Sequence, residues 1–278
     1  MSDPTISFYQ LAPNIGAEVE GLDLAQPLGA AQVQIVRDAL LEHLVLFFRD
    51  QNLTPAEHKA FAQRFGSLHI HPAPLGIFDG DPEIIIVQAD ENSQRIAGEL
   101  WHSDVSCDAE PPMASVLHLK VTPPIGGDTL FANMYAAYDA LSISMQRFLS
   151  ELTAIHDGRR NYDGRPTSPM RSKDFPRAEH PVVRIHPETG RSVLFVNRMF
   201  TNRIVQLKEE ESAALLEMLY RHIERPEFQC RFRWRPNSVA FWDNRCVQHL
   251  ALWDYFPHRR YGHRVTIAAL PPDSCDSI

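Results

Sequence analysis

The chain has 278 residues, 44% of them hydrophobic, and a formal net charge of −8. That is enough apolar material for one large core, and the acidic balance argues against an extended nucleic-acid surface. The four cysteines, Cys107, Cys230, Cys246 and Cys275, form no C-x-x-C pair, and neither a basic-then-apolar leader nor a run of about 18 apolar residues occurs, so a soluble, cytoplasmic protein without a membrane partner is expected.

Residues 6–11 and 17–24 have the length of short strands, broken by Pro13, Asn14 and Gly16. Residues 30–43 predict a helix with Val33, Val36 and Leu40 on one face, and residues 44–48 are a continuous apolar run expected to be buried on both faces. The next helix has a marked start, with Thr54 as N-cap, Pro55 in the first turn and Glu57 completing a capping box, and is expected to end at Gly66. His69-Ile70-His71-Pro72 follows, with two histidines on alternate positions suited to a metal or to a substrate contact.

Residues 83–87 read as a strand, 89–99 as a polar lid or plain loop, and 113–121 as a further strand. The glycines of Gly126-Gly127-Asp128-Thr129-Leu130 fit no dinucleotide fingerprint; they are expected to turn the backbone sharply and present Thr129 inward. Helices are expected over 134–140 and 145–152. Residues 157–179, rich in Pro, Gly and Arg, are expected to form a flexible insertion in a single domain spanning 1–278. Residues 182–185 and 193–196 suggest a hairpin, and 207–224 a firm helix. The last third is strand-rich at 229–234, 239–242, 247–252 and 261–269, and the alternation from Arg231 to Arg235 marks a strand with one wet face. Strands interrupted irregularly by helices, without a β-α-β rhythm, predict a mostly β fold with flanking helices, a jelly roll.

Three His-x-Asp/Glu pairs occur, where roughly one or two would arise by chance. His222-Ile223-Glu224 lies in a helical run, where residues two apart diverge; His186-Pro187-Glu188 opens a Pro-Glu-Thr-Gly turn expected to put both side chains in water. His102 and Asp104 lie between Trp101 and Val105, where an extended backbone sends both to one face while Trp101 and Ser103 point away, a geometry suited to chelation. His249 alternates with apolar neighbours, and is either a buried histidine bonded to a backbone carbonyl or a third ligand. Two imidazoles and a carboxylate on one face suit iron(II) in oxygen-using enzymes, leaving cis positions for a bidentate co-substrate and dioxygen. Arg260, Gly262 and Arg264 also alternate, so the two arginines share a face, and two inward arginines call for two anions.

In combination and order, Leu68-His69-Ile70-His71-Pro72, Trp101-His102-Ser103-Asp104-Val105, Gly126 to Leu130, His180 to Pro187 and Trp242-Asp243-Asn244-Arg245 through Arg264 resemble the TauD/TfdA family of iron(II)- and 2-oxoglutarate-dependent dioxygenases, nearest its taurine dioxygenase branch. The likeness runs from about Ile6 to Pro271. It implies a double-stranded β-helix, Fe(II) on His102, Asp104 and His249, and the distal carboxylate of 2-oxoglutarate on Thr129 and Arg260. It also implies that His71 and Arg264, with the backbone at Val105, grip a substrate's sulfonate. The implied reaction uses O2, converts 2-oxoglutarate to succinate and CO2, and hydroxylates the substrate; at a carbon bearing sulfonate or sulfate, the product would release sulfite or sulfate and leave an aldehyde. A homo-oligomer, dimer or tetramer, is implied as well.

The chain departs from the taurine branch at Pro74 and Gly98, where that branch carries Tyr and Asn, and at Asn161 and Tyr162, where it has a Ser-Phe pair. The anion end of the pocket is kept and the amine end rebuilt, so the expected substrate is a small organic anion: a sulfonate such as taurine, an alkyl sulfate or a related acid. Two other readings stay open. One is a zinc hydrolase on the same three ligands, which leaves Arg260 and Thr129 without a task; the other is a non-catalytic jelly-roll binding module.

Overall fold

The strand Val45–Phe48 is buried at all four positions, and its alternating side chains divide between two cores: Val45 and Phe47 face one, Leu46 and Phe48 the other. A sheet apolar on both faces needs cover on both, and the computed structural model, which describes residues 5–72, 76–163 and 175–269, provides it.

In chain order the elements are β1 (Ser7–Ala12), β2 (Ile15–Glu20), α1 (Ala30–His43), β3 (Val45–Phe48), α2 (Pro55–Gln63), β4 (Ile77–Phe78), β5 (Asp81–Ala89), β6 (Ala114–Val121) and β7 (Thr129–Asn133). They continue with α3 (Met134–Asp139), α4 (Ile143–Ser150), β8 (Thr153–Asp157), α5 (Arg159–Tyr162), β9 (Arg177–Pro181), β10 (Val183–Ile185), β11 (Ser192–Leu194), β12 (Thr201–Ile204) and α6 (Glu209–Ile223). Last come β13 (Gln229–Phe232), β14 (Ser238–Asp243), β15 (Val247–Ala251) and β16 (Arg260–Ile267). The main sheet runs β1-β2-β3-β14-β6-β16-β5-β4, antiparallel except for β2 with β3; a second sheet runs β13-β7-β15.

The inner face of the main sheet packs on the second sheet, where Phe47 stacks on Phe232 at 3.9 Å between centroids and meets Phe131 edge-on at 5.4 Å. The outer face is covered by α1 and α2 through Val36, Leu40 and Phe61, with Phe65 from the turn after α2, against Phe48, Val116, Phe241 and Val265. Each such buried side chain contributes roughly 1.5–3 kcal/mol. The start of α2 is capped reciprocally: Thr54 Oγ1 accepts from Glu57 N at 3.3 Å, and Thr54 N donates to Glu57 Oε2 at 2.7 Å.

Most expected elements are present, and the mostly β jelly roll with flanking helices is the observed architecture. Three expectations need correction. Gly16 lies inside β2, where it takes φ 89, and α2 stops at Gln63, short of Gly66. The expected insertion at 157–179 contains the end of β8, α5 and most of β9, while residues 164–174 lie outside the described residues, as does Pro74. Strands β8 and β12, which pair with each other, had no apolar alternation strong enough to mark them.

Candidate active site

His102 lies just before the turn at 104–107 and pairs directly with His249 of β15: His249 N donates to His102 O at 2.8 Å, and His102 N to His249 O at 3.1 Å. Residues so paired hold their side chains together on one face, and the two imidazole centroids are 4.1 Å apart. Ser103 points away, donating to Val247 O at 2.6 Å, and Asp104 returns to the side of the histidines. One ligand atom from each of His102, Asp104 and His249 lies within 4.8 Å of the others, and all three residues are buried.

The charge state suits a cation. His102 Nδ1 lies 2.8 Å from Leu100 O, which makes Nδ1 a donor to that carbonyl and turns Nε2 toward Asp104 Oδ1 at 3.6 Å. Burial, then the adjacent His102, pushes the His249 imidazolium well below its ordinary range, so His249 is neutral, and its buried Nδ1 has no hydrogen-bond partner. Burial alone would raise the Asp104 carboxyl; the Arg264 guanidinium and the neighbouring imidazoles outweigh it and hold the group well below the usual carboxylate range. Two imidazoles and a carboxylate converging without hydrogen bonds between the rings fit a divalent metal.

Two cavities open beside the cluster. One, of about 430 Å³, is lined by Thr129, Phe131, Trp242 and Arg260 together with His102 and His249. Arg260 is 4% exposed, its Nε has no hydrogen-bond partner, and no carboxylate pairs with it among the described residues. Its guanidinium sits 5.7 Å over the Trp234 ring, whose Nε1 donates to Thr129 Oγ1 at 2.9 Å. Gly126 and Gly127 bring Thr129 here through φ of 77 and 72; a Cβ on Gly126 would stand 2.6 Å from Asp254 Oδ1. The other cavity, of about 410 Å³, contains His71, Asp104, Val105, Asn161, Tyr162 and Arg264 on its walls. Tyr162 OH lies 3.5 Å from His71 Nε2, Val105 takes φ 51, and Arg264 Nη1 donates to Asp104 Oδ1 at 2.6 Å. Gly98, from the 89–99 connection, lines both cavities, and a Cβ there would lie 3.2 Å from His102 Cε1.

The structure thus gathers His102, Asp104 and His249, Thr129 and Arg260, and His71, Val105, Asn161, Tyr162 and Arg264 around one centre. His69 turns aside, its Nε2 3.4 Å from Asp108 Oδ2. The expectation for His186-Pro187-Glu188 fails: His186 is 1% exposed, because Asp243, 57 residues away, receives its Nε2–H at 3.1 Å and draws the turn inward. With Cys246 it forms a second buried group of ligand type. Ser115 was not singled out from the sequence, and Asn244 and Trp234 were named only as members of longer stretches with no role of their own, although a lone buried serine in an apolar strand must find a partner.

A family profile described as "Taurine catabolism dioxygenase TauD, TfdA family" matches residues 7–266. An alkylsulfatase of Acinetobacter baylyi is 34% identical, over 96% of this chain and 87% of its own length. An alpha-ketoglutarate-dependent sulfate ester dioxygenase of Pseudomonas putida is 34% identical, over 98% and 92%. The crystal structure of a taurine dioxygenase from Burkholderia xenovorans superposes with a TM-score of 0.82 at 39% identity, covering 96% of this chain and 92% of that one. With the profile spanning nearly the whole fold, the chain belongs to the TauD/TfdA family and is a 2-oxoglutarate (alpha-ketoglutarate)-dependent dioxygenase, an oxidoreductase.

Proposed function

We propose that this enzyme hydroxylates a small organic anion, a sulfonate or sulfate ester with an uncharged apolar body, with iron(II) held by His102, Asp104 and His249. The observation that carries the reading is Arg260, a buried guanidinium without a carboxylate partner among the described residues, sharing a cavity with that cluster. An unpaired buried charge is costly, so the site is built to receive an anion there. Arg260 would take the far carboxylate of 2-oxoglutarate, and Thr129, whose oxygen already accepts from Trp234, has its hydroxyl hydrogen free to donate to the same group. Iron so held would supply the oxygen chemistry that side chains lack. Val87, Leu117, Phe131 and Trp242 keep the site dry.

Arg264 is placed for a double task, with Nη1 on Asp104 and a buried Nε without a partner. A substrate anion fits against it and His71. The rest of that cavity is largely apolar (Ile85, Val87, Met199, Phe200), and its one carboxylate among the described residues is Asp104. With no carboxylate besides Asp104 among the described residues to pair with an ammonium, the cavity favours alkyl sulfates and alkanesulfonates over taurine. Buried free thiols at Cys107, Cys230 and Cys246 suit a reducing, cytoplasmic setting. The family likeness also leads us to expect a dimer or tetramer, readable by light scattering.

The test is an anaerobic titration with iron(II) and 2-oxoglutarate, followed through the weak visible charge-transfer band, then a panel of anions under air with succinate as the readout. The band is expected in the wild type, with 2-oxoglutarate affinity at least about 30-fold weaker in Arg260→Ala, the loss typical of a truncated buried charge pair. Turnover without oxygen or 2-oxoglutarate would instead favour a zinc hydrolase on the same ligands.

A further inference from the structure

Trp242, Asp243, Asn244 and Arg245 send their side chains to two places. Asp243 and Arg245 turn to His186 and Glu188; Trp242 and Asn244 turn to Asp104. On the second side a chain of hydrogen bonds runs through residues that are almost fully buried: Ser115 0%, Trp242 1%, Asn244 2% and Asp104 3% exposed. Trp242 Nε1 donates to Asn244 Oδ1 at 2.8 Å, Asn244 Nδ2 to Ser115 Oγ at 2.9 Å, and Ser115 Oγ to Asp104 Oδ2 at 2.6 Å.

The direction of this chain is fixed by chemistry. An indole N–H only donates, so the Asn244 atom facing it is the oxygen, and the Asp104 backbone N–H, 3.4 Å away, turns to the same oxygen. That leaves the amide nitrogen for Ser115. Because Ser115 Oγ accepts from Asn244, its single hydrogen is left for the carboxylate. The register supports the same path, since Trp242 of β14 lies opposite Ser115 of β6. A serine between Ala114 and Val116, in the buried first part of β6, is otherwise hard to account for, as an apolar residue there would cost no desolvation.

We propose that Asn244, acting through Ser115, is a positioning pair for Asp104: it occupies Oδ2, stops the carboxylate rotating, and leaves Oδ1 as the one oxygen turned to His102 and Arg264. The inference rests on the functional reading above, in which Asp104 is a metal ligand. Outer groups of this kind orient ligands and tune their affinity.

The experiment measures Mn(II) affinity by calorimetry on the full chain, alongside the melting temperature of metal-free protein. Ser115→Ala should bind Mn(II) about 10- to 100-fold more weakly, the range for loss of such a partner, while remaining folded without metal. Asn244→Asp, the same shape but acceptor-only, should do likewise by competing for the Ser115 hydrogen. Ser115→Thr, which keeps the hydroxyl, should recover most of the affinity. Folded Ser115→Ala with wild-type Mn(II) affinity would overturn the proposal; if that variant does not fold, Asn244→Asp is judged by the same criterion. Wild-type protein that failed to bind Mn(II) would overturn the functional reading itself, whereas tight binding by wild type and variants alike would overturn the positioning pair alone.

Discussion

Two buried clusters lie on either side of the turn from Asp243 to Cys246, and each offers an imidazole, a carboxylate and a third ligand atom within 4.8 Å. In the first, the His102 and His249 rings meet without a hydrogen bond between them, and Asp104 has one oxygen turned to the gap. In the second, every strong group is already engaged. His186 Nδ1 accepts from the backbone N–H groups of Glu188 and Thr189, each at 3.2 Å, and its Nε2–H goes to Asp243. Arg245 grips both Asp243 oxygens, at 2.8 and 2.6 Å, and reaches Glu188, which Arg37 holds from α1. Arg245 covers both Asp243 oxygens, whereas Arg264 reaches only Oδ1 of Asp104. Ligand type and burial are therefore shared by a structural clamp and a metal site, and what separates them is the imidazoles: both His186 nitrogens are engaged, whereas His249 Nδ1 is buried without a partner.

The largest expected effect breaks the first cluster. His249→Ala should reduce Mn(II) affinity and substrate-stimulated succinate formation by more than about 100-fold, beyond what outer-layer groups give, and should leave metal-free protein folded. His102→Ala should match it; full activity in either variant would remove that residue from the site. The counterpart in the second cluster is Arg245→Ala. Leaving Asp243 and Glu188 buried without their partner costs about 3–5 kcal/mol, so the melting temperature should fall by roughly 10 °C. Metal affinity of the protein that stays folded should change far less than in Ser115→Ala, and the opposite ranking would erase the distinction between the clusters.

The sequence announced the first cluster more clearly than the second for a physical reason. His102 lies in extended backbone with Asp104 two residues on, at the opening of the turn, and Arg260 and Arg264 lie on alternate positions of one strand, so short spacing already puts each pair on one side. The inward turn of Thr129 was likewise legible in its two glycines. His186 was misread because Pro-Glu-Thr-Gly is turn chemistry that normally faces water, and only a partner 57 residues away draws it inside. Ser115 was illegible for the same kind of reason: its neighbours in the network, Asp104 and Asn244, come from two other segments. Strands β8 and β9, which pair with each other outside the main sheet, flank a Pro-, Gly- and Arg-rich stretch that hides any apolar period.

A third buried group, of histidines on the helix-covered face of the main sheet, ties the stability of the fold to pH. His58 is pushed down to about 3 by burial and by His118, and His118 to about 4 by burial and by Lys120, with His263 close to both. Their folded-state values lie below the ordinary histidine value of about 6.5, so the unfolded chain binds more protons below that pH. Stability of metal-free protein should therefore decline as pH drops from about 6.5 toward 4, and a melting temperature flat across that window would contradict these burial assignments. The smallest effect is expected at Gly98, which takes φ 82 against His102. Gly98→Ala should cost about 1–2 kcal/mol through backbone strain and lower succinate formation severalfold by pressing on the imidazole, without abolishing metal binding.

The most direct measurement is anomalous diffraction from crystals grown with Mn(II) and 2-oxoglutarate in the absence of oxygen. A single peak is expected, ligated by one nitrogen each from His102 and His249 and one oxygen of Asp104, with Arg260 on the far carboxylate. A peak beside Asp243 and Cys246, or none between the two paired histidines, would contradict the account.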